Sequence, residues 1–175
     1  MKIVNVHQRL LRARPEQVDA VLATLGSPND MAWPRTGWPR MVLDKPLSVG
    51  ARGGHGPIRY VVEAREPGFA AFRFTMKGVD GWHAFEILDA TAHHCVLEHR
   101  IEARLTGWTL LKWLFIIRPL HDACVEDALS QVQLSLGEQP PHRPWSPYVH
   151  LLMCAMGGRR RHAPRPPRGV VQSRG

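Results

Sequence analysis

The chain has 175 residues, 44% of them hydrophobic, which suits one domain with its own core and a tail. Its net charge of +8 is unevenly placed: residues 1–136 hold 16 Lys and Arg against 14 Asp and Glu, whereas residues 137–175 hold seven Arg against one acid, Glu138. A basic tail attracts polyanions without reading their sequence, so no specific nucleic-acid partner is expected.

Residues 3–13 predict a first strand, with Val4, Val6, Gln8 and Leu10 on one face. Arg14-Pro15-Glu16 predicts a helix start, Val18, Val21, Leu22 and Leu25 its apolar stripe, and Gly26 its end. Residues 27–40 are rich in turn formers and predict a second short helix and a loop, with Trp33 and Trp38 as packing residues. Strands follow. Residues 41–51 are broken by Pro46 and run into a glycine-rich turn, GARGGHGP. Ile58 to Glu66 alternates, with Ile58, Tyr60, Val62 and Ala64 on one side, and Pro67-Gly68 marks a hairpin. Phe69 to Lys77 places Phe72, Phe74 and Met76 together, and Trp82 to Asp89 gives another strand. Residues 94–105 alternate most cleanly: Cys95, Leu97, His99, Ile101, Ala103 and Leu105 oppose a charged face. That period of two describes an antiparallel sheet wetted on one side. Residues 108–136 predict a long helix with a start or kink at Pro119. Its stripe is Leu114, Ile117, His121, Cys124, Val125, Ala128 and Val132. A sheet with one apolar face must cover it, and this helix is the long amphipathic element available to do so.

The expected fold class is therefore α+β: a curved antiparallel sheet of about six to seven strands around a long C-terminal helix, with two short helices after the first strand. The expected organisation is a ligand-binding domain over 1–137, an extension with room for one short helix over 138–156, and a disordered basic tail over 157–175.

Four segments carry a resemblance: RARPEQVDAVL, DKPLSVGARGGHGPIRYVVEAREPG, DGWHAFEI and IIRPLHDACVEDAL. Together they resemble the START-like, or SRPBCC, superfamily with its helix-grip fold, in the branch described as polyketide cyclase or dehydrase-like, over roughly residues 3–136. The resemblance implies an internal cavity and a hydrophobic small-molecule ligand, lipid-, polyketide- or aromatic-like. It implies no shared catalytic set, so no catalytic residue is carried over by motif.

Parity then says which polar groups meet the cavity. His83 shares a face with Phe85, His99 with Leu97 and Ile101, His121 with Ile117 and Val125, and Tyr60 with Val62. With Phe72 and Phe74 these are the expected ligand contacts, and His83, His99 and His121 are the candidates for general acid or base work. The alternative is that each histidine is a hydrogen-bonded core residue. Gly53, Gly54 and His55 are expected at a mobile rim or lid. Asp122, Glu126 and Asp127 are expected on the wet side of the helix, with Asp122 the one acid within reach of a second pocket histidine. Three imidazoles can hold zinc, but no HxH, HxxxH or HExxH spacing joins His83, His99 and His121, so no metal and no cofactor is expected.

Cys95, Cys124 and Cys154 form no CxxC, and the N-terminus lacks an unbroken apolar run, which together point to the cytoplasm without a signal peptide. The segment PYVHLLMCAM followed by RRR offers a weak contact to an anionic membrane surface, or packs back on the domain. Oligomeric state is left open.

Overall fold

The computed structural model describes residues 1–156, and the basic tail expected over 157–175 lies outside them. Seven strands form one sheet: β1 (Lys2–Leu11), β2 (Val42–Leu43), β3 (Arg52–His55), β4 (Ile58–Glu66), β5 (Phe69–Phe74), β6 (Val79–Leu88) and β7 (Cys95–Leu105). Their order is β1-β7-β6-β5-β4-β3-β2, with every pair antiparallel. The meander from β2 to β7 needs only local connections. The first strand joins by a long-range pairing with the last, from Lys2 opposite Arg104 to Leu11 opposite Cys95.

Helix α1 (Pro15–Leu22) begins where Pro15 costs no hydrogen bond, and it buries Val18, Val21 and Leu22. Gly26 then turns the chain at φ +73°, a conformation that favours glycine. The second short helix expected in 27–40 is not formed; the segment is a loop of turns. Asp30 explains the difference, because its carboxylate accepts from the backbone N–H groups of Gly26, Ala32 and Trp33. Such side-chain bonds offer the backbone an alternative to the helical ladder.

Residues 52–55 are also corrected, from turn to strand. Gly53 and Gly54 pair with β4 on one side and β2 on the other. A Cβ at Gly53 would overlap the Val42 carbonyl oxygen, and one at Gly54 the Ile58 carbonyl oxygen. These glycines let three backbones approach closely. Gly53→Ala is expected to displace β2 and cost about 1–3 kcal/mol, read as a lower urea midpoint.

The long helix spans three segments: α2 (Trp108–Lys112), a π-helical turn (Trp113–Ile117) and α3 (Arg118–Ser135). Pro119 cannot donate to the carbonyl four residues back, that of Phe115. The Tyr148 hydroxyl donates to that oxygen instead, at 2.6 Å. Tyr148 lies on α4 (Pro147–Ala155), which docks Val149 and Met153, with Trp145, against Leu120 and Ala123. The π turn also shifts the helical phase, so Leu114 of the expected stripe is exposed and Trp113 is buried in its place.

Below the turn the stripe holds. Cys124, Val125, Ala128, Leu129 and Val132 are buried against Leu11, Phe72 and Leu97 of the sheet. Each large apolar side chain so buried contributes about 1.5–3 kcal/mol relative to exposure.

Candidate functional site

The sheet and α3 close on a band of imidazoles. His83 on β6 and His99 on β7 are both buried, and Nδ1 of His83 lies 3.3 Å from Nε2 of His99. Their ring centroids are 5.4 Å apart, and those of His99 and His121 are 5.2 Å apart. The three candidates from parity therefore converge across facing surfaces. Tyr60 also points inward, its ring 5.0 Å from that of His83.

Apolar rings fill the space around them. Phe72 stacks on His83 at 4.8 Å with an interplanar angle of 12°, Phe74 lies at 5.2 Å from it, and Phe85 meets His99 edge-on at 4.7 Å. Leu97 and Val125 belong to the same core, while Ile101 and Ile117 pack in a neighbouring cluster around Trp113. His55, expected at the rim, turns inward. Its ring is 4.6 Å from that of Trp33, and its Nδ1 is 3.3 Å from the Tyr60 hydroxyl.

Burial governs the charge of this band. It pushes His55 down to about 4, with the His121 and Arg59 charges adding to the effect. It holds His83 and His99 well below the ordinary imidazole value, helped by neighbouring imidazoles. It raises the Tyr60 hydroxyl and the Cys124 thiol. His83 and His99 are thus neutral at pH 7, and a neutral pair shares one hydrogen bond in either direction. Nε2 of His83 and Nδ1 of His99 are left buried with no partner. Whichever way the shared proton points, one of these two nitrogens is an N–H donor and the other a bare acceptor.

A second polar group borders the first, and sequence parity misses it. The face of β1 with Val4, Val6 and Leu10 is the exposed one, and the opposite face carries Asn5, His7 and Arg9 toward α3. Asp122 and Glu126 are on the inner side of the helix here and not on its wet side. Nδ1 of His7 lies 2.9 Å from Glu126 and its Nε2 lies 3.2 Å from Asp122. Arg9 donates to Gln133 at 2.5 Å and to Glu126 at 2.7 Å. Burial opposes charging of His7, but the bonds to Asp122 and Glu126 outweigh it and raise the imidazole. Asp122 is held below the usual carboxylate range, against the cost of its burial, by the neighbouring His121 imidazole and by bonds from His7 and Asn5. Asp127 accepts from the indole N–H groups of Trp38 and Trp145, both at 2.9 Å. The available signal was the polar alternation Asn5-x-His7-x-Arg9 facing acids one helical turn apart.

Two clefts open outside this interior. One, of about 360 Å³, lies between α3 and the 143–149 segment and is bordered by Asp122, Glu126 and Trp145. The other, of about 350 Å³, lies beside Asp44, Arg52 and Arg59.

No protein-family model and no curated protein matches the sequence. Solved structures do match. A norcoclaurine synthase point mutant from Thalictrum flavum, in complex with a transition-state analogue, superposes with a TM-score of 0.60 at 12% identity, covering 79% of this chain and 98% of its own. The di-domain aromatase/cyclase StfQ of the steffimycin biosynthetic pathway superposes with a TM-score of 0.56 at 12% identity, covering 77% of this chain and 50% of its own. The chain has the helix-grip fold that these structures share. At such identities the likeness is one of fold, and a fold of this kind hosts both ligand binding and cyclase chemistry. In this helix-grip chain no helix among the described residues is long and apolar enough to cross a membrane.

Proposed function

We propose that the chain binds a hydrophobic small molecule, lipid-, polyketide- or aromatic-like, between the sheet and α3, with the ligand's oxygen atoms on the His83–His99 pair. One observation carries this reading: two ring nitrogens buried among apolar rings without a partner. A buried polar atom left unpaired costs about 1–3 kcal/mol. A ligand with a carbonyl or hydroxyl oxygen there would relieve that cost, and its apolar body would replace ring-to-ring contacts of Phe72, Tyr60 and Phe85. Those rings must part for a ligand to enter, and a π turn in the covering helix gives the motion a place to occur. Another norcoclaurine synthase structure holds dopamine and hydroxybenzaldehyde, which supports hydroxybenzaldehyde as a probe of aromatic-oxygen chemistry. Titration with it, followed by tryptophan fluorescence, is expected to give a saturable signal of one site per chain. Native mass spectrometry of the purified protein should also show a co-purified small molecule. A linear, non-saturating titration together with an unliganded mass would overturn the reading.

A second reading is a cyclase or dehydratase that uses the same pair as general acid and base. The 3.3 Å approach of His83 to His99 favours it, since two titratable groups can then reach one substrate atom. A neutral imidazole can take a proton beside a carbonyl, as aldol-type cyclisation and dehydration require. Turnover of a poly-β-ketone thioester mimic by the wild-type chain, lost in His83→Leu, separates catalysis from carriage.

A further inference from the structure

We propose that His7, His121 and Asp122 form a binding site for a divalent transition-metal ion of the zinc class between β1 and α3. One donor atom from each lies within 4.8 Å of the other two. Nε2 of His7 is 3.2 Å from Oδ1 of Asp122, and Nδ1 of His121 is 3.6 Å from the same oxygen. Four donors at zinc–ligand distances of about 2.0–2.1 Å stand roughly 3.3 Å from one another in a tetrahedron. Both separations from the Asp122 oxygen are already near that spacing, and that between the two imidazole nitrogens is within 4.8 Å.

An ordinary ion pair explains part of the arrangement. A charged His7 between Asp122 and Glu126 has both ring nitrogens satisfied. It leaves two neighbours unexplained: Nδ1 of His121 and Oδ1 of Asn5 are buried and have no hydrogen-bond partner. The His121 nitrogen is beyond hydrogen-bond length from Asp122, its nearby acceptor. The Asn5 amide already touches the Asp122 carboxylate through its nitrogen, at 2.9 Å. A cation among these groups would take the lone pair of His121 and give the lone pairs of the amide oxygen a favourable field.

The surroundings match those of metal-ligating histidines. A ligating imidazole usually gives its other nitrogen to a carboxylate that fixes its tautomer. Glu126 stands in that position, 2.9 Å from Nδ1 of His7, and is itself held by Arg9 at 2.7 Å and Arg143 at 2.8 Å. Two imidazoles and one carboxylate suit zinc better than calcium or magnesium, which prefer all-oxygen sets. Three protein donors leave an open coordination position. Asp122 and Glu126 border the 360 Å³ cleft beside α3, which gives an ion a route from solvent.

The site is independent of the ligand reading and is tested separately. The full chain is stripped with a chelator and titrated with Co²⁺ in the visible region, and the Co²⁺ is then displaced with Zn²⁺. The expected result is one equivalent of Co²⁺ with tetrahedral d–d absorption, lost on adding one equivalent of Zn²⁺. Asp122→Asn and His121→Ala are each expected to weaken Zn²⁺ binding about ten-fold or more, whereas His93→Ala, at an exposed position, leaves it unchanged. Absence of d–d absorption in the wild-type chain overturns the proposal without reference to any variant. Equal Zn²⁺ affinity in folded Asp122→Asn overturns it as well.

Discussion

The double variant His83→Leu/His99→Leu is expected to be at least as stable as the wild-type chain and to bind the aromatic probe at least about ten-fold more weakly. The two effects have one source. Each histidine holds a buried nitrogen with no partner, and the bond between the two rings satisfies only one nitrogen of each. Replacing both removes the unpaired atoms together and keeps apolar volume against Phe72, Phe85 and Tyr60. The single variant His83→Leu should be less stable than the double, because it strips His99 of its remaining partner. Urea unfolding of the wild type, both singles and the double gives the coupling, expected at roughly 0.5–3 kcal/mol for groups in contact. A double variant destabilised beyond either single would mean that the pair holds the core together and is no ligand anchor.

The second large effect is an early loss of stability in acid. His55 is pushed from 6.5 to about 4, first by burial and then by the charges of His121 and Arg59. His83 is pushed well below 6.5 by burial, then by His55 and His121. For a base whose folded pKa is lowered, the unfolded chain binds the proton first. Stability is therefore complete above about pH 6.5 and falls as pH drops toward 4, by about 1.4 kcal/mol per pH unit for each such histidine. His7, whose folded pKa is raised, completes its change above that window. Asp19, Asp122 and Glu126 have lowered carboxyl pKa values, so their contributions are whole above the ordinary values of 3.8 and 4.5 and are lost as pH falls below them. The urea midpoint measured stepwise should already fall steeply between pH 6.5 and about 5, above the ordinary carboxylate values. A flat midpoint down to pH 4 would show that the interior histidines are hydrated.

Much of the fold was written in alternation. The clean period of Cys95 to Leu105 located β7 and its inward face, and with it His99. The same rule carried Tyr60, Phe72 and His83 to the interior. It failed on β1 for a physical reason. Hydrophobic alternation reports a face that meets apolar neighbours, and the inward face of β1 meets acids and an amide on α3. Asn5, His7 and Arg9 find their partners 115 to 124 residues away, and no local pattern records a pairing at that distance. The glycines at 53 and 54 misled differently. Glycine marks both turns and close backbone approaches, and only the flanking strands show which one applies.

Pro119 and Tyr148 lie far apart in sequence yet meet at a single carbonyl oxygen. The proline leaves the Phe115 oxygen without its helical donor, and the phenol supplies one. In relatives of this chain the two positions should therefore vary together. A sequence with an ordinary residue at 119 has an intact ladder there and places no demand on 148, whereas one that keeps the proline must keep a donor at 148 or present that oxygen to water. The segment beyond 137 would then be inherited with the break in the helix, as its counterpart, even where its other residues drift.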